Sequence, residues 1–189
     1  MSTRFACIAA LTISATACSD DPVKYSQPVG INLKAKSSDT TNNTVSNDKG
    51  INTESGNPYG AFISAAKNEL GGADPKVIEI EKVQLFLGGS STNVTRLGEV
   101  FDGTVDIVFV INDTNNSYPA ASGPVPAATG AGPIELDPSF NSDALPDFDY
   151  QKLLGGGFKV VMRGPAASGF MAKGAEADIQ ATFTFAAYE

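Results

Sequence analysis

The 189-residue chain contains no histidine, no tryptophan and only two cysteines. Each absence removes a class of chemistry. Without histidine there is no imidazole base, no His-activated serine or cysteine, and no imidazole metal ligand. Without tryptophan no site rests on an indole platform. A chain starting at Cys18 would keep one thiol and form no internal disulfide. Long apolar runs are missing too. The run Phe5–Ala15 has 11 residues, short of the about 20 needed to cross a bilayer. No G-x-S-x-G and no Walker loop occurs. Gly155-Gly156-Gly157 precedes a strand pattern, whereas a phosphate cradle follows a strand and opens a helix. Basic residues are scarce relative to acidic ones: 13 Lys and Arg against 21 Asp and Glu, for a formal charge of −8. That balance disfavours nucleic acid and anionic membrane surfaces as partners and favours solubility.

The first segment is the most specific feature present. Arg4 supplies a positive start, Phe5–Ala15 an apolar middle, and Ala15-Thr16-Ala17 small residues before Cys18. This is the layout of a secretory signal peptide. With cysteine next after the small residues, and Ser19-Asp20-Asp21 beyond, the segment resembles a bacterial lipobox. Ala15 departs from that pattern, where Leu or Val is usual. The resemblance covers only this start of the chain. It implies cleavage between Ala17 and Cys18 and a diacylglyceryl lipid (a palmitate-type modification) on Cys18. Ordinary secretion would cut the same bond without acylation. Acylation would remove a thiol that is reactive in an oxidising compartment. More than one acyl chain would make the anchor firm. The expected organisation is a signal peptide over 1–17, a lipid-anchored tether over 18–27 and one β-rich domain over 28–189.

Beyond the tether, alternation dominates. Ile31–Lys36 reads as a half-buried strand. Residues 37–57 are rich in Ser, Thr, Asn, Asp and Gly and read as a long excursion with a weak strand near Thr44-Val45 or Gly50-Ile51. Residues 58–70 form the clearest helix. Asn57 caps it, Pro58 suits its first position, and Tyr59, Phe62, Ile63, Ala66 and Leu70 make one stripe ending before Gly71. In 77–87 the apolar parity switches near Glu81-Lys82, the mark of a β-bulge. Leu97, Val100 and Phe101 fit a single helical turn. Thr104–Ile111 is apolar on both faces, as in a central strand. Residues 119–133, dense in Pro, Ala and Gly, read as a long loop. Ile134–Leu136 and Phe158–Met162 are short strands, Asp147–Leu154 a brief helix, and 175–188 a long strand with one buried and one wet face. The expected fold is mostly β: an antiparallel β-sandwich of about six to eight strands with one covering helix, or else an open sheet under that helix.

Candidate chemistry is sparse. Glu79 and Glu81 share a strand face about 6.5–7 Å apart, a spacing that overlaps what an inverting glycosidase uses, but they read as a solvated face opposite Ile78 and Ile80. Asp147 and Asp149 suit a helix N-terminus. Asn112–Asn116 places oxygens at alternate positions but lacks the Gly and distal Glu of a calcium loop, so it reads as a turn. No catalytic residue, metal ligand or cofactor is assigned. The functional expectation is a non-catalytic, membrane-anchored envelope or cell-surface lipoprotein acting as a binding or adhesion module. Its contacts would be the membrane through Cys18 and a protein or glycan partner, with outer membrane or cell surface favoured over inner membrane. The alternatives are a structural part of an envelope assembly and a carboxylate-dependent hydrolase.

Overall fold

The structure, a computed structural model, describes residues 24–54 and 56–189. The expected signal peptide, Cys18 and the tether up to residue 23 lie outside the described residues. Among the described residues there are eight strands: β1 Lys24–Lys36, β2 Thr44–Gly50, β3 Val77–Leu87, β4 Gly103–Ile111, β5 Ser117–Val125, β6 Ile134–Pro138, β7 Phe158–Pro165 and β8 Glu176–Tyr188. Two helices join them, α1 Pro58–Glu69 and α2 Asp147–Leu154. The strands form one antiparallel sheet in the order β1-β8-β3-β6-β5-β4-β7-β2. The first and last strands of that order are neighbours in sequence. They meet again across the molecule, where the Lys34 N–H donates to Asn47 Oδ1 at 3.0 Å. The sheet therefore comes close to closing on itself.

Alternation decides which face is inside. In β8, Ala177, Ile179, Ala181, Phe183 and Phe185 are buried, and Asp178, Gln180, Thr182 and Thr184 are half-exposed. The interior is filled with rings. Phe109 lies 4.9 Å from Phe140, 5.0 Å from Phe158 and 5.8 Å from Phe183, centroid to centroid. Helix α1 packs its stripe on this cluster: Tyr59 meets Phe158 and Phe185 edge-on, and Phe62 stacks with Phe185 and Tyr25. The Tyr59 hydroxyl donates to the Leu153 carbonyl of α2 at 3.1 Å. That bond couples the two helices, and burial raises the phenol's pKa. Gly60 lets α1 lie against the chain before it, since a Cβ there would fall 2.9 Å from Thr53 Cα. The outer face carries ion pairs such as Lys34–Glu176, Lys82–Glu135 and Lys159–Asp48. A charged outside around an aromatic inside is the reverse of a lipid-facing barrel. Among the described residues no helix is long and apolar enough to cross a membrane.

The mostly-β class, the antiparallel pairing and the principal helix agree with the sequence expectation. The sheet itself is nearer a barrel than two separate layers, because β6 bridges the halves: its Ile134–Leu136 pairs with β3 and its Asp137-Pro138 with β5. The bulge in β3 is real. Pairing with β8 shifts between Ile80 and Lys82, and Glu81 and Lys82 both face outward. Two boundaries differ from expectation. Residues 24–27 belong to β1, paired with Tyr188–Phe185, because β8 is long enough to extend the ladder past Pro28. Residues 119–125 are strand. Pro119 and Pro124 point outward, Ala120 is the extra residue of a bulge between Ile107 and Val108, and Gly123 makes room for Leu136. The brief helix expected at Asp147–Leu154 is present as α2 with those same bounds.

Candidate functional site

The carboxylates singled out by spacing have local duties. Glu79 accepts from the Tyr188 hydroxyl, and Glu81 accepts from Lys24 and Ser26. These bonds tie β1, β8 and β3 together on the outer face. The Lys24 bond, followed by the Ser26 bond, holds the Glu81 carboxyl below its usual range. Asp147 lies at the start of α2 and Asp149 is buried, 1% exposed. Asp149 does more than complement a helix end. Its carboxylate accepts from Tyr118 OH at 2.5 Å, Asn116 Nδ2 at 2.7 Å and Thr114 Oγ1 at 3.0 Å. Asp113 is engaged by Lys152. The oxygen-rich turn 112–116 is thus a receptacle for α2. Gly155–Gly157 closes α2, with Gly156 at φ +71° against Asn52.

These bonds have a pH signature. The Tyr118 bond, then the Asn116 bond, lower the Asp149 pKa. A backbone bond from Thr95, then Lys173, lower Glu99 to about 2. A carboxyl with a depressed folded-state pKa stabilises the fold fully above its unfolded value. It loses that contribution as pH falls through the folded value. The melting midpoint should therefore drop as pH falls from about 4.5 to about 2. Asp149→Asn should lower the midpoint at pH 7 by about 5–10 °C and flatten this acid dependence. Thermal melts of both proteins across pH 2–7 check it; an unchanged acid slope in the variant would exclude Asp149 as a source.

The sheet order leaves a seam between β1 and β2. Ladder bonds alternate sides along a strand. Ser37 N–H goes to Ala175 O across β8, so the odd residues of β1 face β8. Gly30, Asn32 and Lys34 turn their backbone groups toward β2. On the other side, Ile51 N–H goes to Phe158 O, and Asn43 O receives Ala166 N–H. Ser46, Asp48 and Gly50 therefore face β1. Two rows of backbone donors and acceptors confront each other without a ladder. The Asn47 carboxamide reaches between them and takes the Lys34 N–H, the place a strand carbonyl would take. Two shallow hollows follow the seam. One of about 270 Å³ is lined by Asn32, Lys34, Asn47, Asp48 and Lys49. The other, about 220 Å³, runs from the shared Asn32 and Lys49 to Gly30, Gly50 and the start of α1 at Asn57-Pro58. A Cβ on Gly30 or Gly50 would meet nothing within 4 Å.

No known protein family and no curated protein matches the chain. Function therefore rests on what the seam can do. Unpaired strand edges accept an extended chain by main-chain hydrogen bonds. Lys49, which has no ion pair among the described residues, adds a positive charge beside the groove. Sequence reading missed the seam. Its visible signals were Pro28, which a strand tolerates only at an edge or bulge, and Asn47, which breaks the buried parity begun by Val45. Neither says which edge stays open; that depends on the partner strands.

Proposed function

We propose that this chain is a non-catalytic, lipid-anchored envelope or cell-surface protein that binds an extended polypeptide at the β1/β2 seam. The observation that carries the reading is the interrupted ladder. A barrel otherwise closed by hydrogen bonds leaves β1 and β2 close together but without a ladder, bridged by the Asn47 side chain, and the two strands would part to admit a guest. A guest strand would supply carbonyls and N–H groups to Gly30, Asn32 and Lys34, displace the Asn47 amide, and favour an acidic side chain opposite Lys49. The absence of histidine and the structural roles of Glu79, Glu81, Asp113 and Asp149 weigh against the hydrolase reading. The anchor rests on the resemblance of residues 1–18 to a lipobox.

Two measurements test the reading. Cys18→Ser should move the protein from the detergent phase to the aqueous phase, or block processing; an unmodified Cys18 by intact mass would remove the anchor. A photo-crosslinking residue at Asn32 should yield an adduct of defined mass, and one at Lys82, on the outer face of β3, should not. Asn47→Ala should raise the Asn32 yield about threefold or more, since about 1 kcal/mol of competing hydrogen bond is gone. Equal labelling at both positions would sink the seam as a site. An adduct recovered at fixed stoichiometry favours an assembly component over a transient receptor.

A further inference from the structure

The described residues leave two large apolar side chains exposed, Phe148 and Met171, each 55% exposed. They lie at opposite ends of the molecule. Met171 is in the turn Phe170–Lys173. That turn is followed by Ala175, whose carbonyl takes the Ser37 N–H just past the end of β1. Phe148 is on α2, at the end where β1 begins. A chain of contacts shows this: Lys24 pairs with Tyr188, Tyr188 O accepts the Lys76 N–H, and Pro75 O accepts the Tyr150 hydroxyl of α2. Helix α2 does not need the Phe148 ring for docking. It is held by Asp149, Tyr150 and Leu153, while Phe148 points away with the Lys152 amine 5.4 Å from its centroid.

Chain length selects what this ring faces. This inference rests on the lipid anchor at Cys18. From Cys18 to Lys24 is six residues, a reach of at most about 20 Å. The 13 residues of β1 carry the opposite end about 40 Å further along the strand direction. The α2 end is therefore held at the lipid surface and the Met171 end away from it. We infer that α2 is a foot that rests on the lipid surface, with Phe148 entering the headgroup layer. One ring binds membranes too weakly to recruit a free protein. Tethering makes the contact intramolecular, at an effective concentration of roughly millimolar, so one ring suffices to orient the domain. The contact is apolar rather than electrostatic. Lys24, Lys76 and Lys152 share this end with Asp74, Asp113, Asp143 and Asp147, and Asp113 already takes Lys152. Asp147, beside the ring, keeps its water and limits entry to headgroup depth. The foot would leave the seam along the barrel wall open to a partner.

The composition makes the test clean. The native chain has no tryptophan, so Phe148→Trp and Met171→Trp each create a single reporter. Residues 18–189 carry one thiol, and coupling it to a maleimide lipid in neutral phosphatidylcholine vesicles builds the tether without the cell's acylation. Circular dichroism verifies the fold of both variants. The expected result is a blue-shifted Phe148→Trp emission, quenched several-fold more by acyl-brominated lipid than that of Met171→Trp. Uncoupled Phe148→Trp protein mixed with the same vesicles should stay unshifted. A water-like spectrum for coupled Phe148→Trp, or stronger quenching of Met171→Trp, would overturn the foot. Failure of the anchor reading shows separately, as an unmodified Cys18 in the native protein.

Discussion

Phe109→Ala should destabilise the protein by about 3–5 kcal/mol, a drop of about 10 °C or more in melting midpoint for a domain of this size. Phe109 is fully buried on β4, the central strand between β5 and β7. Its ring touches the rings of Phe140, Phe158 and Phe183 and approaches Phe185 at 6.2 Å. Those neighbours come from β7, β8 and the segment after β6, so truncation opens a void between the two halves of the sheet. Ladders on both sides hold β4 in place, so the void cannot collapse fully. Chemical denaturation gives the number. A loss below about 1 kcal/mol, the scale of a volume-conserving swap, would show that the ring cluster does not hold the two halves of the sheet together.

Gly98→Ala should cost about 2–3 kcal/mol or more through overpacking. Gly98 lies in the short turn Leu97–Glu99, where a Cβ would come 2.3 Å from the Ala127 carbonyl oxygen and 2.8 Å from that of Pro126. The obstacles are backbone atoms, and two bonds fix them: Leu97 N–H to Gly130 O and Gly98 N–H to Thr129 O. The turn and the 126–130 loop must part, at the end of the barrel away from Lys24. Hydrogen exchange should quicken at Leu97 and Gly98 while the amides of β1 and β8 keep most of their protection. Uniform loss of protection across the sheet would mean that this loop is coupled to global unfolding.

These two residues mark how much was legible beforehand. Phe109 was readable as core, since Val105, Ile107, Phe109 and Ile111 alternate in a run whose other face is also largely apolar. So were the α1 stripe, its Asn57 cap, which accepts from Tyr59 N–H at 2.9 Å, and the bulge at Glu81. All are local patterns of period two or three to four. Gly98 was not readable. Its constraint comes from residues 28 or more positions away, and a lone glycine carries no record of its neighbour. The strand at 119–125 was missed because its prolines and small residues suit a loop until β4 and β6 pair with it. The candidate site was hidden for the same reason. A glutamate pair draws attention by spacing, yet tertiary contacts give Glu79 and Glu81 bonding duties. Gly30, Asn32 and Asn47 carry no motif, and only the sheet order turns them into an open edge.

By itself, the amino-acid sequence determined that the chain is acidic and free of histidine and tryptophan, and that its alternation builds an antiparallel β domain with one strong helix; the anchor proposed at Cys18 also rests on sequence alone. Tertiary structure alone decided that the sheet curls until its ends nearly meet, that Asn47 stands in the gap, and that Phe148 shares an end with the start of β1. The physical reason is range. Alternation and capping act through neighbours along the chain, and composition acts through sums. Closure, an open seam and the end of the barrel on which a side chain lies depend on pairings between distant strands, which exist only once the sheet has formed.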